Sequence, residues 1–90
     1  MGNPDYPVLI PANTWTKIAT AVLKGFYYKK RGTDGYFQTY RLTGETAPTD
    51  LEEGIGIFLK GKNVEEIGND SPIDVYVYSL NKEGSLRVDV

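Results

Sequence analysis

Asp50, Glu52 and Glu53 are the best-placed carboxylates for general acid and base work in this 90-residue chain. Glycoside hydrolysis needs two such groups facing each other across a sugar-lined cleft. These three instead share one loop, TGETAPTDLEEG at 43–54. A domain of this length has little material for cleft walls, so they read as a solvated acidic loop. Glu65, Glu66, Asn69 and Asp70 offer oxygen atoms that suit calcium. Their spacing does not follow a calcium-binding loop, and a plain turn is expected there. Lys29, Lys30 and Arg31 beside Tyr27 and Tyr28 supply the charges and rings that engage single-stranded nucleic acid. The run is short, however, and 10 basic residues face 12 acidic ones, for a net charge of -2. That balance lacks the basic footprint of a nucleic-acid binder. The chain has neither histidine nor cysteine. Familiar nucleophile–base triads, thiolate sites and the usual zinc ligand sets are therefore ruled out, as are disulfides. The expectation is a protein that is not an enzyme, with no cofactor and no metal.

The aromatic residues are the better functional material. Tyr27, Tyr28, Tyr36, Tyr40, Tyr76 and Tyr78 fall in segments that read as strands, with Trp15 nearby. A domain this small buries only about 60% of the surface of its unfolded chain, so its core is thin. Tyrosine tolerates one dry and one wet side and is enriched at interfaces. Tyr36, Tyr40, Tyr76, Tyr78 and Trp15 are accordingly the candidate interface residues. Half-buried packing and a sugar-stacking face are the competing roles for individual rings.

These rings need β-strands to position them. MGNPDYPVLIPAN at 1–13 carries three prolines, which bars it from a central strand. It is read as an N-terminal arm, either a flexible tail or an ordered segment lying on the domain or a neighbouring subunit, with Tyr6, Val8 and Ile10 as attachment residues whose alternation suits a short edge strand. Residues 14–90 are read as one domain. Trp15, Ala19 and Leu23 have helical spacing, but threonine, isoleucine and valine dominate 14–24 and favour strand. The segment is expected to be one long strand, or two broken near Lys24-Gly25. Gly32-Thr33-Asp34-Gly35 reads as a turn joining strand 26–31 to strand 36–42 in a hairpin. Strand 55–60, a turn at Gly61 and a short strand 64–67 follow. Gly68–Pro72 reads as another turn, 73–80 as a strand, 81–84 as a hairpin turn and 85–90 as the closing strand. In 73–80, valine and isoleucine alternate with Tyr76 and Tyr78, so one face is expected buried and the other ringed. About seven or eight short antiparallel strands imply an all-β fold, a compact jelly-roll-like β-sandwich or small barrel. No apolar run approaches the roughly 18 residues of a membrane helix, and no signal-peptide pattern opens the sequence.

The order of Trp15, the Gly32–Gly35 turn, Ala47-Pro48-Thr49, Gly54-Ile55, the Gly61 turn, Val75-Tyr76-Val77-Tyr78-Ser79 and a short final strand resembles small virion proteins of tailed bacteriophages. The likeness spans about residues 14–90. It implies a non-enzymatic structural role in the virion, as a capsid decoration, head-fibre or tail-associated module. It also implies a homotrimer and a phage capsid or tail protein as partner, with the proline-rich start and Tyr6 as the attachment arm. The basic aromatic segment 26–31 departs from that pattern. Two other functions are compatible with the residues. One is a carbohydrate-binding module for receptor recognition. The other is a small cytoplasmic regulator or inhibitor that grips an enzyme through the acidic loop 45–53.

Overall fold

The computed structural model describes residues 7–29, 35–49, 57–59 and 64–90. Strands and connecting turns, with no helix, make up the described residues. The strands are β1 (Val8–Ile10), β2 (Trp15–Lys29), β3 (Tyr36–Leu42), β4 (Ile57–Leu59), β5 (Val64–Ser79) and β6 (Gly84–Asp89). They form a single open sheet in the order β1-β6-β2-β5-β3-β4, antiparallel throughout. The chain is thus all-β.

Six strands are present among the described residues, against the seven or eight expected. The difference has one physical source. Residues 15–29 form one long strand, β2, the first of the two expected arrangements, with no break near Lys24-Gly25. Likewise Val64–Ile67 and Ile73–Ser79 belong to one strand, β5. The Gly68–Pro72 cluster makes a bulge where a chain reversal was expected. Between the pairs Lys24↔Gly68 and Val22↔Ile73, β2 advances two residues while β5 advances five. Bulges absorb surplus residues and add twist without ending a strand.

The two local hairpins are also overturned. Strand 26–29 and β3 share no pairing among the described residues; β5 lies between them. Similarly, β5 and β6 flank β2 on opposite sides, although a tight connection joins them. A turn signal reports that the chain reverses, but the strand apolar on both faces takes the central place. Residues 73–79 of β5 are buried without interruption. The turn residues Gly32–Asp34 and Gly61 lie outside the described residues.

The sheet coils enough to bring distant strands together. Tyr36 of β3 accepts a hydrogen bond at its hydroxyl from the Ser85 amide of β6, at 3.1 Å. Ala12, just after β1, forms an isolated parallel bridge with Ser79. Asn13 then donates its amide to the Ser79 carbonyl at 2.8 Å, and its Oδ1 accepts from the Asn81 amide at 2.9 Å. Both asparagines have positive φ, 57° and 61°. Asparagine adopts that region at low cost. The main core gathers Ile10, Ala19, Tyr27, Tyr36, Ile67, Ile73, Val75, Val77 and Leu86 inside the coil.

The β2 bulge carries one unusual residue. Ala21 has φ 53°, a left-handed conformation that a Cβ disfavours. Its amide donates to Asp74 Oδ1 at 2.9 Å. Ala21→Gly is expected to stabilise the protein by up to about 1 kcal/mol, because relief of strain exceeds the added freedom of the unfolded chain. Urea unfolding of the variant measures this, and a clear loss of stability would refute the strain.

Candidate assembly surfaces

The candidate interface rings are mostly interior. Tyr76 and Tyr78 project from the β5 face opposite the main core, yet they are 3% and 8% exposed. Together with Trp15 and Phe37 they make a second apolar cluster. Trp15 and Tyr78 have ring centroids 5.3 Å apart, and Phe37 meets Tyr78 edge-on at 6.5 Å. Lys17 Nζ lies 5.9 Å from the Tyr76 centroid. Cross-strand registry explains the cluster, since Trp15 and Phe37 both face Tyr78 from the two flanking strands. Aromatic pairs of this geometry stabilise a sheet face beyond their area alone. The face expected to display rings therefore folds them onto one another. This corrects the placement of Trp15, Tyr76 and Tyr78 at a surface.

Tyr36 is likewise interior, packed in the main core. Tyr27 is fully buried and donates its hydroxyl to Gln38 Oε1. Burial pushes its phenol far above the usual range, and the nearby Glu65 charge adds to the effect. Of the five candidate interface residues, Tyr40 is the exposed one, at 51%.

The arm residues divide as well. Ile10 is fully buried in the core, and Val8 packs partly against it. Both belong to β1, which pairs with Leu86–Gly84 of β6. They are sheet residues of a short edge strand, so this part of the arm lies on the domain itself. Pro7 and Pro11 bracket this strand and leave it no amide to extend the ladder, as suits an edge. Tyr6 lies outside the described residues.

The sequence's chemical clusters disperse on folding. Glu65, Glu66, Asn69 and Asp70 lie along β5, where successive side chains alternate faces. No group of acidic residues able to hold a metal occurs among the described residues. Lys29 is buried, so it offers no exposed charge for a nucleic-acid backbone. Lys30, Arg31, Asp50, Glu52 and Glu53 lie outside the described residues.

Two exposed apolar surfaces remain. On β3, Tyr40 pairs with Val75 and Leu42 with Ile73. Ala19 and Val22 continue these two rows on β2. Val75, Ile73 and Ala19 are buried, whereas Tyr40 and Leu42 stand 51% and 46% exposed. The core face thus emerges into solvent at the β3 margin. Leu42 lies two residues after Tyr40 and so shares its face of β3.

The second surface is a groove of about 560 Å3 between the ends of β2, β5 and β6. Gly25, Ile67 and Val90 line it on the core face, and Lys24, Phe26, Glu66 and Asp89 project from the opposite face. Gly25 is needed here, because a Cβ would fall 2.6 Å from both the Asp89 carbonyl oxygen and Val90 Cγ1. Nothing in the sequence marked this groove, since its walls come from three strands distant along the chain.

No family model matches the chain, and no curated protein or solved structure is significantly similar to it.

Proposed function

We propose that this protein is a non-enzymatic structural component of a phage virion, a capsid decoration or attachment module that works as a homotrimer. The observation that carries the self-association is the β3 margin. Tyr40 and Leu42 extend two buried cross-strand rows into solvent. A second copy seated there would continue the existing core face, burying a tyrosine and a leucine at its centre. Aromatic residues in desolvated patches of this kind commonly dominate association energy. Among the described residues, β4 pairs with Tyr36–Gln38 alone, so Tyr40–Leu42 has a β5 neighbour on one side only. The virion setting rests on the order of turns and strands from Trp15 to the final strand, and on the coiled sheet read as a small sandwich-like or barrel-like body. The phage capsid or tail is the partner this implies.

Light scattering tests the assembly. At high micromolar concentration the mass should be three times 10.0 kDa. Tyr40→Glu combined with Leu42→Glu should give a monomer with an unchanged far-ultraviolet spectrum. A monomeric parent protein would overturn the proposal. Capsid or tail genes next to its own gene are the expected genomic setting, and their absence would remove support for the virion role.

A further inference from the structure

We propose that the groove at the ends of β2, β5 and β6 receives Tyr40 and Leu42 of a neighbouring copy, so that the trimer is a head-to-tail ring. This deepens the self-association proposed above and rests on it. A two-fold dimer can pair one patch with itself, whereas each junction of a three-fold ring joins two different surfaces. The β3 margin supplies one of them. Its counterpart must be apolar, exposed and hollow enough to take a tyrosine.

On the core face the groove is built on the row Ile67, Gly25, Val90. Gly25 and Ile67 are direct cross-strand partners. Val90 follows Asp89, the partner of Phe26, and so falls opposite Gly25 on the other side. Val90 is 67% exposed, the most exposed of the large apolar residues among those described. The volume of about 560 Å3 lies in the range that encloses a drug-sized ligand, which leaves room for a tyrosine together with a leucine. Phe26, Glu66 and Asp89 project from the opposite face, because successive residues of a strand alternate. There Asp89 Oδ2 lies 3.8 Å from Arg87 Nη2, and Lys24 stands in the row next to Glu66. These charges balance one another, so the occupant that fits is uncharged with a large apolar body. Tyr40 and Leu42 meet that description, and the tyrosine hydroxyl can stay wet at the rim.

The positions of the two surfaces suit a closed ring. Ile67 shares the main core with Ile73 and Val75, which are the direct partners of Leu42 and Tyr40. Groove and margin therefore border one face of the sheet, separated along β5 by the bulge at 68–72. Surfaces at opposite ends of a molecule stack copies into a filament, whereas surfaces on one face can close a ring of few copies.

Light scattering on Val90→Glu and Val90→Lys is the first test. Both should fall from three chains to one at high micromolar concentration, with an unchanged far-ultraviolet spectrum. The second test mixes Val90→Glu with the Tyr40→Glu, Leu42→Glu variant, since each keeps one intact surface. The mixture, and neither variant alone, should form a two-chain species that cannot grow, of mass twice 10.0 kDa. Ring closure no longer assists its single junction, so the mixture is measured at roughly millimolar concentration. Val90 variants that stay trimeric, or a mixture that stays monomeric, would overturn this inference and leave the β3 margin in place. A monomeric parent protein would overturn the proposed function and this inference with it.

Discussion

Gly84→Ala is expected to destabilise the protein by about 2–3 kcal/mol, the range for an overpacked core. Gly84 opens β6 and pairs with Ile10 of β1. A Cβ there would lie 2.5 Å from Tyr36 Cζ and 2.6 Å from its Cε1. Tyr36 cannot readily yield. Its ring is 1% exposed within the main core, and its hydroxyl accepts the Ser85 amide. The added methyl group must displace either that ring or the β6 backbone. The contact couples β3 to β6, which are separated by two strands in the sheet order. Loss of stability should appear as a melting temperature lower by roughly 10–20 °C for a domain of this size. Tyr36→Ala is costly alone, but it should absorb much of the glycine substitution's cost in the double variant. A melting temperature within error of the parent would show that the close approach is absent in solution.

Asp74→Ala should cost a similar amount, about 2–4 kcal/mol, because it strands several donors at once. Asp74 is 4% exposed and sits in the middle of β5. Its Oδ1 accepts from the Ala21 amide at 2.9 Å and from Thr43 Oγ1 at 3.0 Å. Its Oδ2 lies 3.4 Å from Lys17 Nζ. One carboxylate thus ties the β2 bulge to the turn after β3. Asp74→Asn should cost less, since its amide oxygen can still accept from Ala21. The carboxyl is held below its ordinary value of 3.8. The Ala21 amide is the main cause, with Thr43 and the Lys17 charge assisting and partial desolvation opposing. A depressed folded value fixes the sign. Its contribution is complete above the ordinary carboxylate value and disappears as pH falls through the lower folded value. Arg41 pairs with Asp74 across the ladder, but its Nη1 donates to Thr39 and the Tyr40 carbonyl. Urea unfolding between neutral pH and pH 2 should show the parent losing more stability than Asp74→Asn at the acid end. Parallel curves would remove Asp74 from the acid response.

Much of the strand content was legible in the residues. Threonine, valine, isoleucine and tyrosine mark β2, β3, β5 and β6, and the β-branched run at 14–24 outweighs the helical spacing of Trp15, Ala19 and Leu23. The candidate site was far less legible. Val75 and Tyr76 do alternate between two faces, as read. Alternation cannot say whether the second face meets water or another cluster. Trp15 and Phe37 decide that for Tyr76 and Tyr78, and they arrive from flanking strands. Tyr40 stands exposed where its row ends among the described residues.

The missing histidine and cysteine, the near-balanced charge and the β-rich segments are properties of composition and local propensity. The sequence by itself determines them, and with them that no histidine- or cysteine-based site can be built from these 90 residues. Strand order belonged to the tertiary structure. Placing β5 between β2 and β3, and β2 between β5 and β6, turned two apparent hairpins into longer connections. The same placement buried four of the five expected interface rings and built a groove at the ends of β2, β5 and β6. The reason is that propensity acts between near neighbours, whereas pairing and burial compare whole faces across the chain. The strand with two apolar faces wins the centre, whatever its turns suggest.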